Sequence, residues 1–288
     1  MHIKLVTKIT KEGESILKIV PSNIEEINKL YKEKILGKMG DEKLKENDIY
    51  IFKCESQSAV TRVKDQQYEL LESVYYGKDF KPLNIEQNIY MNLLLDKNIK
   101  CVIANGDAGT GNTIIAMAYA YQSILDGVYQ DVIISRPPVS ASKKFETGFK
   151  PGSVEEKIKP WMMIFYDNLG KAKQYFSQQT KIELKEQSLE FIKGLSFDNA
   201  LIIIDECEDL NEQEIKAIMT RIGEGSKLIL LGDEEQCTSA DSKNKLSEVT
   251  EKFNKANLSV KEQKLFASVK LKKSVRSEFV QLVLKVLK

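Results

Sequence analysis

From about residue 85 onward, apolar residues fall into two kinds of run that alternate along the chain. "KCVIAN" (100–105), "DVIIS" (131–135), "ALIIID" (200–205) and "KLILLGD" (227–233) are short, nearly continuous apolar segments that end in polar residues. Between them lie helical stretches such as "NIEQNIYMNLLLD", the Ala-rich "TIIAMAYAYQSIL" and "NEQEIKAIMTRIG". Strands that are apolar on both faces and alternate with helices predict a parallel sheet covered on either side. In such sheets ligands bind at the carboxyl ends of the strands. The polar clusters of this chain fall at those ends.

Residues 1–80 follow a different pattern. "HIKLVTKIT", "SILKIV" and "DIYIFKC" read as short strands, and "SNIEEINKLYKEKIL" reads as a helix with Ser22 as N-cap and Glu25 completing a capping box. The chain of 288 residues therefore divides into a small N-terminal α+β module or extension over 1–80 and an α/β domain over 83–288. No internal repeat or low-complexity linker interrupts it.

Composition adds limits rather than detail. With 43 basic and 42 acidic side chains the net charge is +1, which excludes a chain that coats nucleic acid by bulk charge but leaves room for a local basic groove. Cys54, Cys101, Cys207 and Cys237 form no C-x-x-C pair and the one histidine is His2, so a structural zinc site is not expected and buried free thiols are. The absence of a signal peptide and of an apolar run near 18 residues gives a cytoplasmic reading with no membrane partner.

The first strand leads into "NGDAGTGNT" (105–113). Residues Gly106, Asp107, Ala108, Gly109, Thr110, Gly111, Asn112 and Thr113 fit the phosphate-loop pattern G-x-x-x-x-G-K-[ST] at every fixed position but one, where Asn112 replaces lysine. The glycines let backbone N–H groups turn toward phosphate oxygens, the following helix offers its N-terminus to the same anion, and Thr113 suits a Mg²⁺ ligand. A hydrogen bond to a charged group contributes about 1.5–3 kcal/mol and a neutral one about 0.5–1.5 kcal/mol. Asn112 is thus expected to weaken nucleotide binding and to weaken turnover more, with a plain strand–turn–helix connection whose glycines serve tight packing as the alternative.

Further along, Asp205 and Glu206 close an apolar strand, as acids that hold Mg²⁺ and polarise an attacking water do, although an acidic strand end can equally cap the next helix. Gln236 follows another strand end and suits sensing of the γ-phosphate, while Asp233 suits helix capping. Gln87 precedes the loop and suits the adenine edge or a plain exposed helix position. Arginines are few, and Arg136 and Arg276 are candidates for phosphate contact or an arginine finger, with a surface salt bridge as the alternative for each. "KQYFSQQTKIELK" mixes Lys173, Tyr175, Phe176 and Lys181, which would allow stacking on single-stranded RNA or simply form a solvated segment.

Taken together, residues 83–288 resemble the PhoH-like ATPases. The most specific stretch is "GFKPGSVEEKIKPWMMIFYDNLG" (148–170), followed in order by "FIKGLSFDNALIIIDE", "IMTRIGEGSKLILLGDEEQ" and "VRSEF". The resemblance implies a RecA-like phosphate-loop NTPase core that binds and hydrolyses ATP with Mg²⁺, a homo-oligomer such as a hexameric ring, and a link to RNA unwinding or remodelling. It implies that Gly106 to Thr113 form the loop, Asp205 and Glu206 the Walker B acids, Gln236 a sensor and Gln87 an adenine-side group, with Arg136 and Arg276 at arginine positions. The chain departs from the family at Asn112, at "DECED" in place of D-E-A-Q-N, and at "KKFETGF". Glu208 stands where a glutamine is expected, and as an acid it would add negative charge. Residues 1–80 lack the D-T-N motif of PIN-type nuclease domains, so ribonuclease activity is not expected. The alternatives to an ATPase are a nucleotide-binding module without turnover and an RNA-binding scaffold.

Overall fold

The computed structural model describes residues 18–38, 43–55, 57–107, 109–137, 154–178, 180–233, 245–275, 277–279, 282 and 286. The first part comprises β1 (Lys18–Pro21), α1 (Ile24–Glu33), β2 (Ile35–Leu36), β3 (Ile49–Lys53), β4 (Ser58–Lys64) and β5 (Gln67–Leu70), and it forms a five-stranded sheet of order β1-β3-β4-β5-β2. Only β1 and β3 are parallel among these pairs. Helix α1 covers the sheet with Ile27 and Leu30, which join Tyr50, Phe52, Val63 and Tyr68 in a core of their own. The capping box is present but one residue later than expected: Asn23 is the N-cap and Glu26 closes the box. Ser22 and Asn23 are both good caps, and so are Glu25 and Glu26 as partners, so the sequence pattern fits two frames equally. The helix stops at Lys34, which takes a left-handed conformation at φ 64° and releases Ile35 and Leu36 into β2.

The second part begins with α2 (Ile85–Leu95), β6 (Cys101–Gly106), α3 (Asn112–Leu125), β7 (Asp131–Ser135), α4 (Val154–Lys173), β8 (Leu184–Glu186) and α5 (Leu189–Gly194). It continues with β9 (Ala200–Ile204), a 3₁₀ turn (Cys207–Asp209), α6 (Glu212–Met219), β10 (Lys227–Gly232), α7 (Lys245–Lys255), α8 (Val260–Gln263) and β11 (Phe266–Leu271). The six strands are ordered β11-β6-β10-β9-β7-β8, and every pairing is parallel. This is the RecA-like core: the strand that leads into the loop and the strand that carries Asp205 are separated by β10 alone. Alternate residues of each strand serve opposite faces. Val102, Ile134, Ile203 and Ile229 pack on α2, α3 and α4, whereas Ile103, Ile133, Ile202 and Leu230 pack on α5, α6 and α7.

Cys101 and Cys207 are buried and free, and Cys54 is half-buried. Two positions proposed from the sequence for nucleic-acid stacking differ sharply in placement. Tyr175 is 41% exposed, but Phe176 is buried edge-on against Tyr121, with ring centroids 4.7 Å apart. Phe176 is therefore a core residue rather than a stacking platform.

The two sheets meet through Ile49 and Val60, which reach the larger core, and through ion pairs. Arg62 Nη2 on β4 lies 2.7 Å from Asp96 Oδ2 at the end of α2, and Arg62 is 5% exposed. Burial opposes ionisation of Asp96, but the Arg62 guanidinium, the Asn98 amide and Lys64 together outweigh it and hold the carboxyl below its ordinary range. Arg62→Ala would leave Asp96 without its main partner and is expected to lower stability by about 2 kcal/mol, read as a reduced urea midpoint at pH 7. An unchanged midpoint would assign the junction to apolar packing alone.

Candidate nucleotide site

The site is assembled where β6, β7, β9 and β10 end. Asp107 N donates to Leu271 O at 3.1 Å, and Val275 N donates to Gly109 O at 3.0 Å, so the chain following β11 is stitched to the loop. Glu86 Oε2 fixes that same segment by accepting from Lys272 N at 2.7 Å and Lys273 N at 3.0 Å. Inside the loop, Thr110 N and Thr110 Oγ1 both donate to Asp107 O, at 3.1 and 2.9 Å. Gly109 and Gly111 adopt φ of +80° and +91°, conformations open to glycine and costly for other residues. A Cβ on Gly106 would stand 2.5 Å from Thr110 Oγ1, so this glycine is required by space rather than by φ.

Gln87 holds the loop from behind. Its Nε2 donates to Thr110 O at 2.9 Å and its Oε1 accepts from Leu83 N at 2.8 Å. The carboxamide that the sequence offers as an adenine reader is thus a brace for the loop in this state.

Asn112 opens α3, but its side chain turns back on its own neighbour. Oδ1 accepts from Thr113 N at 2.8 Å and from Thr113 Oγ1 at 3.3 Å. Thr113 Oγ1 also lies 3.1 Å from Asp205 Oδ2. The two candidate Mg²⁺ ligands, one on the loop helix and one on β9, are therefore brought together across the intervening strand. Asp205 is 7% exposed, and its Oδ1 accepts from Glu206 N at 3.0 Å. Burial and the neighbouring Glu206 carboxylate push its carboxyl up to about 6, against the opposing pull of Arg136, the Glu206 amide and Thr113.

Glu206 sits at φ 58°, ψ 41°, a left-handed conformation that costs a non-glycine residue on the order of 1 kcal/mol. Its carboxylate pairs with Arg136 Nη2 at the end of β7. Arg136 is thus drawn into the site by an acid of the site instead of forming a plain surface pair. Glu208, two positions on, is buried, and its Oε2 accepts from Asp233 N at 3.1 Å. Burial and a hydrogen bond with Glu206 hold the Glu208 carboxyl well above the usual range. Glu208, singled out by the sequence as an acid where a glutamine is expected, is thus held inside the protein, which the pattern alone did not reveal. Ala108, Gln236 and Arg276 lie outside the described residues, as does "KKFETGF".

The residues present fit a Mg²⁺–polyphosphate. The loop keeps the space that a Cβ at Gly106 would fill. Gly111 caps α3 without a side chain, which leaves the helix N-terminus to an outside anion apart from the Asn112 contact. Ser135 Oγ and Arg136 Nε are buried without a hydrogen-bond partner among the described residues, beside the acids.

A parallel α/β sheet with a phosphate loop and an acid at the end of the strand next but one defines a phosphate-loop NTPase fold. The family model described as PhoH-like protein matches residues 79–288, and the chain belongs to that family. Protein PhoH2 of Bacillus subtilis is 37% identical over 243 residues, covering 78% of this chain and 52% of that protein. Protein PhoH of Escherichia coli is 27% identical over 191 residues, covering 64% of this chain and 53% of that protein. The chain thus spans about half the length of these curated relatives. Among solved structures, the large terminase of a thermophilic bacteriophage is similar with a TM-score of 0.47 and 12% identity, over 71% of this chain and 50% of that one. No helix among the described residues is long and apolar enough to cross a membrane.

Asp205 supplies a pH test. Its folded pKa is raised from 3.8 to about 6, so the folded chain holds the proton more tightly than the unfolded chain. The penalty is absent below the unfolded value, grows as pH rises through this window, and is complete above it. In EDTA, the stability of Asp205→Asn relative to the parent is expected to improve by about 2–3 kcal/mol between pH 4 and pH 7.5. A difference that does not change with pH, measured by urea unfolding, would show that Asp205 titrates normally.

Proposed function

We propose that this chain binds ATP with Mg²⁺ and hydrolyses it slowly. The observation that carries the reading is the 3.1 Å contact between Thr113 Oγ1 and Asp205 Oδ2 at the mouth of a loop whose glycines leave room for phosphate. The amides of the loop and of the first turn of α3 receive the phosphates. Thr113 and Asp205 would hold Mg²⁺, which when bound would offset the charge of the phosphates. Glu206, paired with Arg136, orients the attacking water and takes its proton. Gln87 keeps the loop in register, and Gln236 and Arg276 act as γ-phosphate sensor and arginine finger. A homo-oligomer, a hexameric ring included, acting on single-stranded RNA in the cytoplasm completes the reading, supported by membership of the family. The N-terminal module, proposed to span 1–80 beside a domain at 83–288, is a fixed extension of the ATP-binding core.

Asn112 weakens both steps. Asn112→Lys replaces a neutral group by an ammonium and frees Thr113 N, and is expected to tighten ATP binding about tenfold in calorimetric titration. The same change is expected to raise phosphate release, which Glu206→Gln abolishes. Absence of binding by either protein at millimolar ATP–Mg²⁺ overturns the nucleotide reading. Binding by both with release no faster than in Glu206→Gln reduces it to a binding module without turnover.

A further inference from the structure

Strands β1 and β11 are each the last strand of their sheet among the described residues, and both line one cavity of about 480 Å³. Small-molecule sites hold roughly 300–1,000 Å³ and favour the junction of two units. The apolar part of the wall is made by Ile19, Ile49, Ile89 and Val269 together with Phe253 and Phe266. The two phenyl rings stack, with centroids 4.3 Å apart and planes 13° from parallel. A wall of this kind suits a flat aromatic ligand. None of the loop residues 106–113 lines the cavity, so it is separate from the site proposed for ATP.

The charges around the cavity are unevenly matched. Its acids already have donors. Glu46 accepts from Asp65 N, Gln66 N and Gln66 Nε2, Asp48 pairs with Lys18 at 2.9 Å, and Glu86 accepts from Lys272 N and Lys273 N. Lys45 differs. Its half-buried ammonium donates to Asn254 O at 3.0 Å and to Asn254 Oδ1 at 2.8 Å, both neutral oxygens. Asp48 attracts it through space, but Lys18, the partner of Asp48, repels it. A cationic ligand would find every acid here occupied, and a purely apolar one would leave the ammonium without a counter-charge. An aromatic anion satisfies both parts of the wall.

We propose that this cavity is a second ligand site that takes a nucleotide unit, with its base against the Phe253–Phe266 wall and its phosphate on the Lys45 ammonium. Stacking of a base on an aromatic side chain and a charge-assisted hydrogen bond to phosphate are the two terms that hold it. The unit belongs either to a free nucleoside monophosphate or to a strand of RNA, since both present the same base and phosphate.

The full-length chain would be compared with Lys45→Glu and Ile19→Trp by equilibrium dialysis, with folding checked by circular dichroism. Lys45→Glu reverses the charge, and Ile19→Trp fills the cavity from an exposed position of β1. UMP is expected to bind the parent with a Kd below about 1 mM. Each variant is expected to raise that Kd at least about tenfold. Uridine, which lacks the phosphate, and ribose 5-phosphate, which lacks the base, are each expected to bind at least about fivefold more weakly than UMP. A short oligouridylate that binds more tightly than UMP, with the same losses in both variants, assigns the unit to an RNA strand. One that binds no better than UMP assigns it to a free nucleotide. The proposal is overturned if neither UMP nor the oligouridylate binds, or if their binding is unchanged in both variants. Uridine or ribose 5-phosphate binding as tightly as UMP overturns it as well. A chain that holds UMP here but binds no ATP–Mg²⁺ keeps this inference and loses the ATP reading of the loop.

Discussion

Asp205 is an acid that the fold buries without fully neutralising. It is 7% exposed, and its hydrogen-bond donors are a hydroxyl from Thr113 and an amide from Glu206. Arg136 helps it through space but pairs directly with Glu206. A carboxyl in this position is costly to ionise, and a cation between Thr113 and Asp205 would remove most of that cost. The rest of the site can be understood as the set of contacts that keeps this acid in place.

Strand order explains why those contacts take the form they do. Strands in a sheet lie about 4.8 Å apart, so the loop strand β6 and the acid strand β9 are roughly 10 Å apart with β10 between them. A residue on β6 itself could not reach Asp205. Thr113 can, because it stands in the first turn of α3 beyond the loop. The loop must then be held from both flanks. Gln87 braces it at Thr110 O, while the segment after β11 braces it at Asp107 N and Gly109 O. Two of these braces come from α2, since Glu86 fixes the β11 segment and Gln87, its neighbour in sequence, fixes the loop.

The sequence revealed the parts of this arrangement that a single stretch encodes. The strands β6, β7, β9 and β10 are buried on both faces and so are apolar at consecutive positions, which is why their limits could be read within a residue. Strand β11 was not legible because it lies at the sheet edge, where exposure alternates and "FASVKL" looks like ordinary amphipathic chain. β8 is three residues long, and β4 and β5 both carry charged residues. At the site, the loop and the Asp205–Glu206 pair were visible as patterns. The loop contact of Gln87 and the burial of Glu208 were not, because each depends on what lies against the side chain in space. An amide that braces a loop and an amide that reads a base have the same letter, and so do a buried glutamate and an exposed one.

Asn112 changes the loop in a way that loss of charge alone does not describe. A lysine there would extend over the phosphates and leave Thr113 free. Asparagine is short enough to fold onto its own helix turn, where its Oδ1 takes the Thr113 amide and competes with Asp205 for the one hydrogen of the Thr113 hydroxyl. Those are the groups that a phosphate oxygen and a cation need. The neutral hydrogen bond from the Thr113 amide, about 0.5–1.5 kcal/mol, must be exchanged before the ligand is seated. The loop is therefore capped by its own side chain, which raises the cost of filling it. The glycine turn, the helix N-terminus and the Thr113–Asp205 contact are all retained. What Asn112 alters is the balance between an occupied and a self-satisfied loop, and a single side-chain rotation connects the two.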